Sequence, residues 1–190
     1  MKRILCLGDS NTYGFDPRSY LGSRYPAEIR WTDRIAREGY TVLNEGENGR
    51  RILREDSFPM VRRIITDSSP LSGIIVMLGT NDILTGAAAG QARENMGRLV
   101  SFVATCTEPE KVLLLAPPPL KRGEWVQDDR LIRESENLGK EYAELARMCS
   151  IGFADAGEWG IDLTFDGVHF SPEGHRRMAQ KIRDILDREF

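Results

Sequence analysis

Two histidines in 190 residues, His169 and His175, limit where the chain can organise proton transfer near neutral pH. A serine hydroxyl attacks only when a base takes its proton, a third group orients that base, and donors await the oxyanion. Ser10 is the candidate nucleophile, in Gly8-Asp9-Ser10 directly after the apolar run Ile4-Leu5-Cys6-Leu7. His169, in a loop beside Gly167, is the better base. His175 falls inside the first turns of the last helix, where a structural or surface role is expected. Asp166 lies three residues before His169, and a tight turn at Gly167 can bring its carboxylate onto Nδ1, leaving Nε2 for Ser10. Asp9, Asp82, Asp155 and Asp162 compete for that place, but Asp9 and Asp82 are expected to brace loops by capping backbone amides. Oxyanion donors are available from the backbone N–H of Ser10, from the Asn48-Gly49-Arg50 turn, where Gly49 suits close approach, and from the Asn81 side chain.

These groups need a scaffold that gathers distant segments. Residues 2–7, 40–44, 73–78, 111–116 and 152–155 read as strands, the third and fourth as continuous apolar runs of the kind covered on both faces. Residues 27–38, 57–68, 91–107 and 130–149 carry helical periodicity, and Ser171-Pro172-Glu173 opens a final helix with Ser171 as N-cap and Pro172 at the first helical position. Residues 8–26, with Tyr20 and Gly22 among the breakers of regular structure, form a long loop of the kind that usually has a function. The alternation of strand and helix predicts an α/β fold, a three-layer α/β/α sandwich on a parallel sheet, as a single domain over 1–190. Ligands bind such sheets at the carboxyl ends of the strands, where Ser10, Gly49, Asn81, Asp166 and His169 all fall.

Composition narrows the partners. A net charge of −3 leaves no electrostatic footprint for nucleic acid or an anionic membrane. No run of 18 apolar residues marks a membrane span, and the apolar stretch after Met1-Lys2-Arg3 is too short for a signal peptide, so a cytoplasmic location is expected. Cys6, Cys106 and Cys149 are widely spaced in apolar contexts and read as buried structural thiols. Two histidines six apart without an H-E-x-x-H spacing give little for zinc, and no cofactor or metal is expected.

Gly8-Asp9-Ser10-Asn11 followed by Tyr13-Gly14, a glycine in the loop after the second strand, Gly79-Thr80-Asn81-Asp82, and Asp166-Gly167-Val168-His169-Phe170 resemble the sequence blocks of the SGNH (GDSL-like) hydrolases. The resemblance spans essentially the whole chain. It implies a flavodoxin-like five-stranded parallel sheet in the order 2-1-3-4-5 and ester hydrolysis through an acyl-serine. By that resemblance Ser10 is nucleophile and donor, Gly49 and Asn81 are the other donors, and Asp166 and His169 complete the triad. Asn11 stands where the family's name has leucine and is not expected to touch the chemistry. Arg30-Trp31-Thr32, Ala116-Pro117-Pro118-Pro119-Leu120 and Asp155-Ala156-Gly157 are similar to the bacterial arylesterase/acyltransferase branch. That likeness implies short-acyl esters, acyl transfer to alcohols or peroxide as a side activity, and homo-oligomers.

Tyr13, Phe15, Trp31, Trp125 and Val168 are candidates for the wall of a small acyl pocket, Val168 because it is fixed beside His169. Arg50 and Arg51 read as surface charges or loop salt bridges, with contact to an anionic substrate group as the alternative. Two other readings stand beside the short-chain esterase of small-molecule esters. One is a carbohydrate O-acetyl esterase; the other is a flavodoxin-like nucleotide or flavin binder. The chain has neither G-x-G-x-x-G nor G-x-x-x-x-G-K-[ST] after the first strand to support the latter.

Overall fold

A computed structural model describes residues 1–19, 23–36 and 39–189. The apolar runs become β1 (Lys2–Gly8), β2 (Tyr40–Gly46), β3 (Gly73–Met77), β4 (Val112–Ala116) and β5 (Gly152–Asp155). They form one parallel sheet in the order β2-β1-β3-β4-β5. Every residue of β3 and β4 is buried, whereas the edge strand β5 is half-exposed throughout, which is why only the inner strands read as unbroken apolar runs.

Successive strand side chains point to opposite faces and so feed two separate cores. Leu5, Leu7, Ile74, Val76 and Leu114 pack with α3 (Ser57–Ser68), α5 (Ala89–Ala104) and α6 (Asp129–Cys149). Ile4, Cys6, Ile75, Met77, Leu113 and Leu115 pack with α2 (Trp31–Ala36) and α7 (Pro172–Glu189). The result is the expected three-layer α/β architecture. The chain leaves β1 for β2 on one side and returns to β3 on the other. The carboxyl ends of β1 and β3 therefore flank the crevice where such sheets take their ligands.

Several local features differ from the sequence expectation. The helix expected over 27–38 is regular only at Trp31–Ala36; after Pro26 the chain first makes turns closed by Ile29 N–H and Arg30 N–H on Pro26 O. Residues 37 and 38, the end of that expected helix, lie outside the described residues, as do Tyr20 and Gly22 of the long loop. Ser10 and Asn81 are not in open loops. They occupy single helical turns, α1 (Ser10–Tyr13) and α4 (Thr80–Leu84), started immediately after their strands. Cys6 is buried in the sheet, but Cys106 and Cys149 are only half-buried, since Cys106 sits in the turn just after α5 and Cys149 ends α6, both at the rim of the core rather than within it. Ser171 caps the last helix as expected, its Oγ accepting from Gly174 N–H at 3.1 Å. Among the described residues, no helix is long and apolar enough to cross a membrane.

His175 is buried, with Nδ1 accepting from Trp31 N–H at 3.4 Å and its ring edge-on to Tyr25 and Phe170. Burial, with Arg34 and Arg30 nearby, lowers its pKa to about 3. A depressed histidine stabilises the fold fully above its unfolded value of about 6.5 and loses that contribution as pH falls toward about 3. His175→Gln is therefore expected to flatten the fall of Tm between those pH values, which thermal melts on both proteins measure directly. Asp9 acts in the opposite sense, so the difference between variant and parent isolates the histidine.

Candidate active site

Asp9 builds the turn that presents Ser10. Its Oδ1 accepts from Asn11 N–H at 3.0 Å and so caps α1, and Gly14 closes the far end in the left-handed region at φ 88°. Burial raises the Asp9 carboxyl to about 6, against the lowering effect of that cap and of His169. The Ser10 N–H is the first of a helical turn and has no intrahelical acceptor.

Asp166 and His169 lie beyond β5, in a turn that the sequence dictates closely. Asp166 Oδ1 accepts from Val168 N–H at 2.8 Å, His169 N–H at 3.0 Å and the Thr164 hydroxyl at 2.8 Å. Gly167 turns at φ 80°, and a Cβ there would lie 2.0 Å from Lys121 O, so only glycine fits. The 121–126 loop grips this turn from outside: Lys121, Glu124 and Trp125 N–H groups donate to Gly167, Phe165 and Asp166 carbonyls. The free Oδ2 of Asp166 lies 2.6 Å from His169 Nδ1, and His169 Nε2 lies 3.0 Å from Ser10 Oγ.

Charge fixes the proton positions along this line. Burial alone would raise the Asp166 carboxyl, but hydrogen bonds from the His169 ring and from the His169 and Val168 backbone outweigh it and hold the pKa at about 2. An ionised carboxylate only accepts, so Nδ1 carries the imidazole proton and Nε2 is left to accept from Ser10. The imidazole is bounded by Phe15, at 4.7 Å between centroids, and by the edge of Trp125, at 5.2 Å.

Asn81 and Gly49 face the same space. Asn81 Nδ2 donates one proton to Arg50 O at 3.0 Å, leaving the second available, since a primary amide has two. Gly49 turns at φ 74° with open space where a Cβ would stand. Asp82 does not enter the site. Its Oδ2 accepts from Ile52 N–H at 3.0 Å, the bracing role expected for it.

The pocket at Ser10 is lined by Phe15, Asn48, Gly49, Asn81, Leu84, Trp125, Val168 and His169 and holds about 160 Å³. Trp125 and Val168 thus stand where expected. Tyr13 and Trp31 do not. Trp31 is fully buried in the α2–α7 core, where its indole N–H donates to Asn11 O at 3.0 Å. Tyr13 turns away to lie under the Arg24 guanidinium, 4.3 Å from the ring centroid. Neither direction is readable from sequence, because the helical turn that carries each residue decides it. Leu84 and Asn48 line it as well; Leu84 follows Asn81 by one helical turn and Asn48 directly precedes Gly49, and that proximity is the only signal the sequence offers.

Asn11 does more than stand in for leucine. Its Nδ2 donates to Val168 O at 3.1 Å and its Oδ1 accepts from Phe170 N–H at 2.9 Å, so one amide brackets the backbone on both sides of His169. Asn11→Leu leaves both buried groups unpaired, at about 1–3 kcal/mol each. A loss of roughly 2–6 kcal/mol in urea unfolding is expected on that basis.

Comparison with known proteins settles the lineage. The sequence matches the GDSL-like lipase/acylhydrolase family over residues 6–177. The chain belongs to that family. Membership makes this GDSL-like protein a carboxylic ester hydrolase. Among solved structures it is similar to Est24, a carbohydrate acetylesterase from Sinorhizobium meliloti, at 29% identity and TM-score 0.86, with 100% of each chain covered. It is similar to the aryl esterase of M. smegmatis at 26% identity and TM-score 0.85, again over 100% of both chains. A structure from Agrobacterium tumefaciens assigned as an arylesterase has 30% identity and TM-score 0.88 over the full length of both. A search of curated proteins returned no match.

Proposed function

We propose that this GDSL-like hydrolase cleaves short-chain, acetyl-like esters through an acyl-Ser10 intermediate. The observation that carries this reading is the continuous line from Asp166 Oδ2 to His169 Nδ1 at 2.6 Å and from His169 Nε2 to Ser10 Oγ at 3.0 Å. In the first half-reaction Ser10 Oγ attacks the ester carbonyl as its proton passes to Nε2. The oxyanion is met by Ser10 N–H, Gly49 N–H and the second Asn81 amide proton. Nε2 then protonates the departing alkoxide. Water takes the alcohol's place, gives its proton to Nε2, and releases the acid; an alcohol or peroxide in the same place would carry the acyl group away instead.

Pocket size supports the acyl preference. About 160 Å³ is close to the roughly 150 Å³ cavity that accommodates one benzene ring, and Leu84 and Val168 line it with carbon. Rates on p-nitrophenyl esters are expected to fall steeply from acetate and butyrate to octanoate. A flat profile across that series, or equal activity in Ser10→Ala, contradicts the reading.

A carbohydrate O-acetyl ester is the second substrate reading. The likeness to Est24 favours it, and so does Trp125, whose indole lines the pocket while 55% exposed, free to meet a ring-bearing alcohol. Trp125→Ala is expected to lower kcat/KM on acetylated sugars and aryl acetates about 2- to 10-fold more than on ethyl acetate, given stacking of about 0.5–1.5 kcal/mol beyond area burial. Parallel loss on all three esters would exclude a role in leaving-group recognition.

A further inference from the structure

Arg50 forms the loop salt bridge expected of it, with Glu47, but it is not a surface charge, and its surroundings explain why. It is 5% exposed, and arginine is rarely buried without partners that use its fork of donors. Nη1 donates to Gly8 O at 3.2 Å and to Glu45 O, and Nη2 donates to Glu47 Oε2 at 2.9 Å. Its backbone takes part too. Arg50 N–H donates to Glu47 O at 3.2 Å, and Arg50 O accepts from Asn81 Nδ2 at 3.0 Å. Arg51 also makes a loop salt bridge, but half-exposed, with Nε 3.8 Å from Asp82 Oδ1.

Each of these partners belongs to a segment that carries one of the oxyanion donors. Gly8 ends β1, two residues before Ser10. Glu45 and Glu47 bound the turn that leads to Gly49, and Glu47 N–H itself donates to Gly8 O at 3.1 Å. Asn81 supplies its own side-chain amide. A carbonyl oxygen only accepts, so Arg50 O forces the nitrogen end of the Asn81 amide toward the site and consumes one of its two protons. The guanidinium does not line the pocket, although Asn48 and Gly49 do, so it is not placed to meet a substrate anion.

We infer that Arg50 is a positioning residue for the oxyanion site, setting the mutual geometry of the Ser10, Gly49 and Asn81 donors without touching substrate. The inference rests on the acyl-serine reading above. Arg50→Lys keeps the charge and the backbone but has no planar fork, so it reaches one arm of the cluster at a time. Arg50→Met keeps the length and loses all the guanidinium bonds. Glu47→Gln removes one charged arm at a side chain that is 42% exposed, and so spares the fold if the others do not. Loss of one preorganised donor typically costs on the order of 10²–10³ in rate, and misplacing donors costs part of it.

The test measures kcat and KM on p-nitrophenyl acetate together with inhibition by an alkyl trifluoromethyl ketone, whose serine adduct places an oxyanion on the same donors. Active sites are counted with a fluorophosphonate. Per active site, kcat is expected to fall about 10²-fold in Arg50→Met, about 10-fold in Arg50→Lys and less than that in Glu47→Gln, with KM within about threefold. Inhibitor affinity is expected to fall by the same factors as kcat/KM, and the pH of the acid limb to stay unchanged. A purely structural role lowers the fraction of active sites and Tm while the surviving sites keep parental kcat and inhibitor affinity; that outcome overturns the inference. If Arg50→Met does not fold, the lysine and Glu47→Gln variants carry the same comparison. A parent enzyme inert toward the ester would instead remove the underlying acyl-serine reading, a failure visible before any variant is made.

Discussion

Asp166→Asn is expected to lower kcat about 10⁴-fold while leaving the protein folded. The fold survives because Val168 N–H, His169 N–H and the Thr164 hydroxyl bond to Oδ1, and an amide oxygen accepts them as a carboxylate does. The chemistry does not survive. The amide nitrogen at the Oδ2 position can only donate, so Nδ1 must accept and the ring proton moves to Nε2. Nε2 then faces Ser10 Oγ, at 3.0 Å, with a proton where a lone pair is needed. Asparagine also offers no charge to the imidazolium formed during attack. A second readout follows from the sign of the pKa. The Asp166 carboxyl is depressed to about 2, so its stabilisation is complete above its unfolded value of about 3.9 and disappears as pH falls through about 2. The asparagine variant should lack that acid-side slope in its unfolding free energy, while its loss of kcat persists at every pH where the parent works.

The largest effect is expected from Ser10→Ala, a fall in kcat on the order of 10⁶-fold, as when a serine nucleophile acting with its base as a unit is removed. The substitution deletes only the hydroxyl. Asp9 still caps α1 through Asn11 N–H, and the backbone N–H of residue 10, Gly49 and Asn81 remain to bind a developing oxyanion. A residual rate of roughly 10³–10⁴ over the uncatalysed reaction should therefore survive, with water as the direct nucleophile. Because the same donors and pocket still hold the ester, KM should change little. Combining Ser10→Ala with Asp166→Asn should cost scarcely more than Ser10→Ala alone, since the base has nothing left to activate.

How much of this was legible in the sequence follows from which physical signals are local. Inner strands covered on both faces must be apolar at every position, so Ile74–Met77 and Val112–Ala116 announce themselves. A polar residue soon after an apolar strand stands at the ligand-binding edge, and this marks Ser10 and Asn81, whereas Gly49, Asp166 and His169 lie farther along their loops and are marked by the turn glycines, the scarcity of histidine and the motif resemblance. Ser10 and His169 are 159 positions apart and meet only through the sheet order, which the motif resemblance supplied rather than the periodicity. What was not legible depends on side-chain direction. Trp31 and Tyr13 are as aromatic as Phe15 and Trp125, but the first points into the α2–α7 core and the second under Arg24. Arg50 reads as a charge on a loop until its acceptors are seen to be main-chain carbonyls of two strands' ends. Asn11 reads as a tolerated exchange for leucine until its amide is found spanning the backbone around His169. A polar side chain reveals such work only through its partners, and those lie far away in sequence.

The central claim, that Ser10 itself carries the acyl group, is tested most directly by rapid-quench mass spectrometry during turnover of p-nitrophenyl acetate. The account predicts a transient gain of one acetyl group, mapped by peptide sequencing to Ser10, formed with the initial burst of p-nitrophenol and absent in Ser10→Ala. Full turnover by the parent enzyme with no acetylated protein at any quench time, or acetyl mapped to another residue, would contradict it.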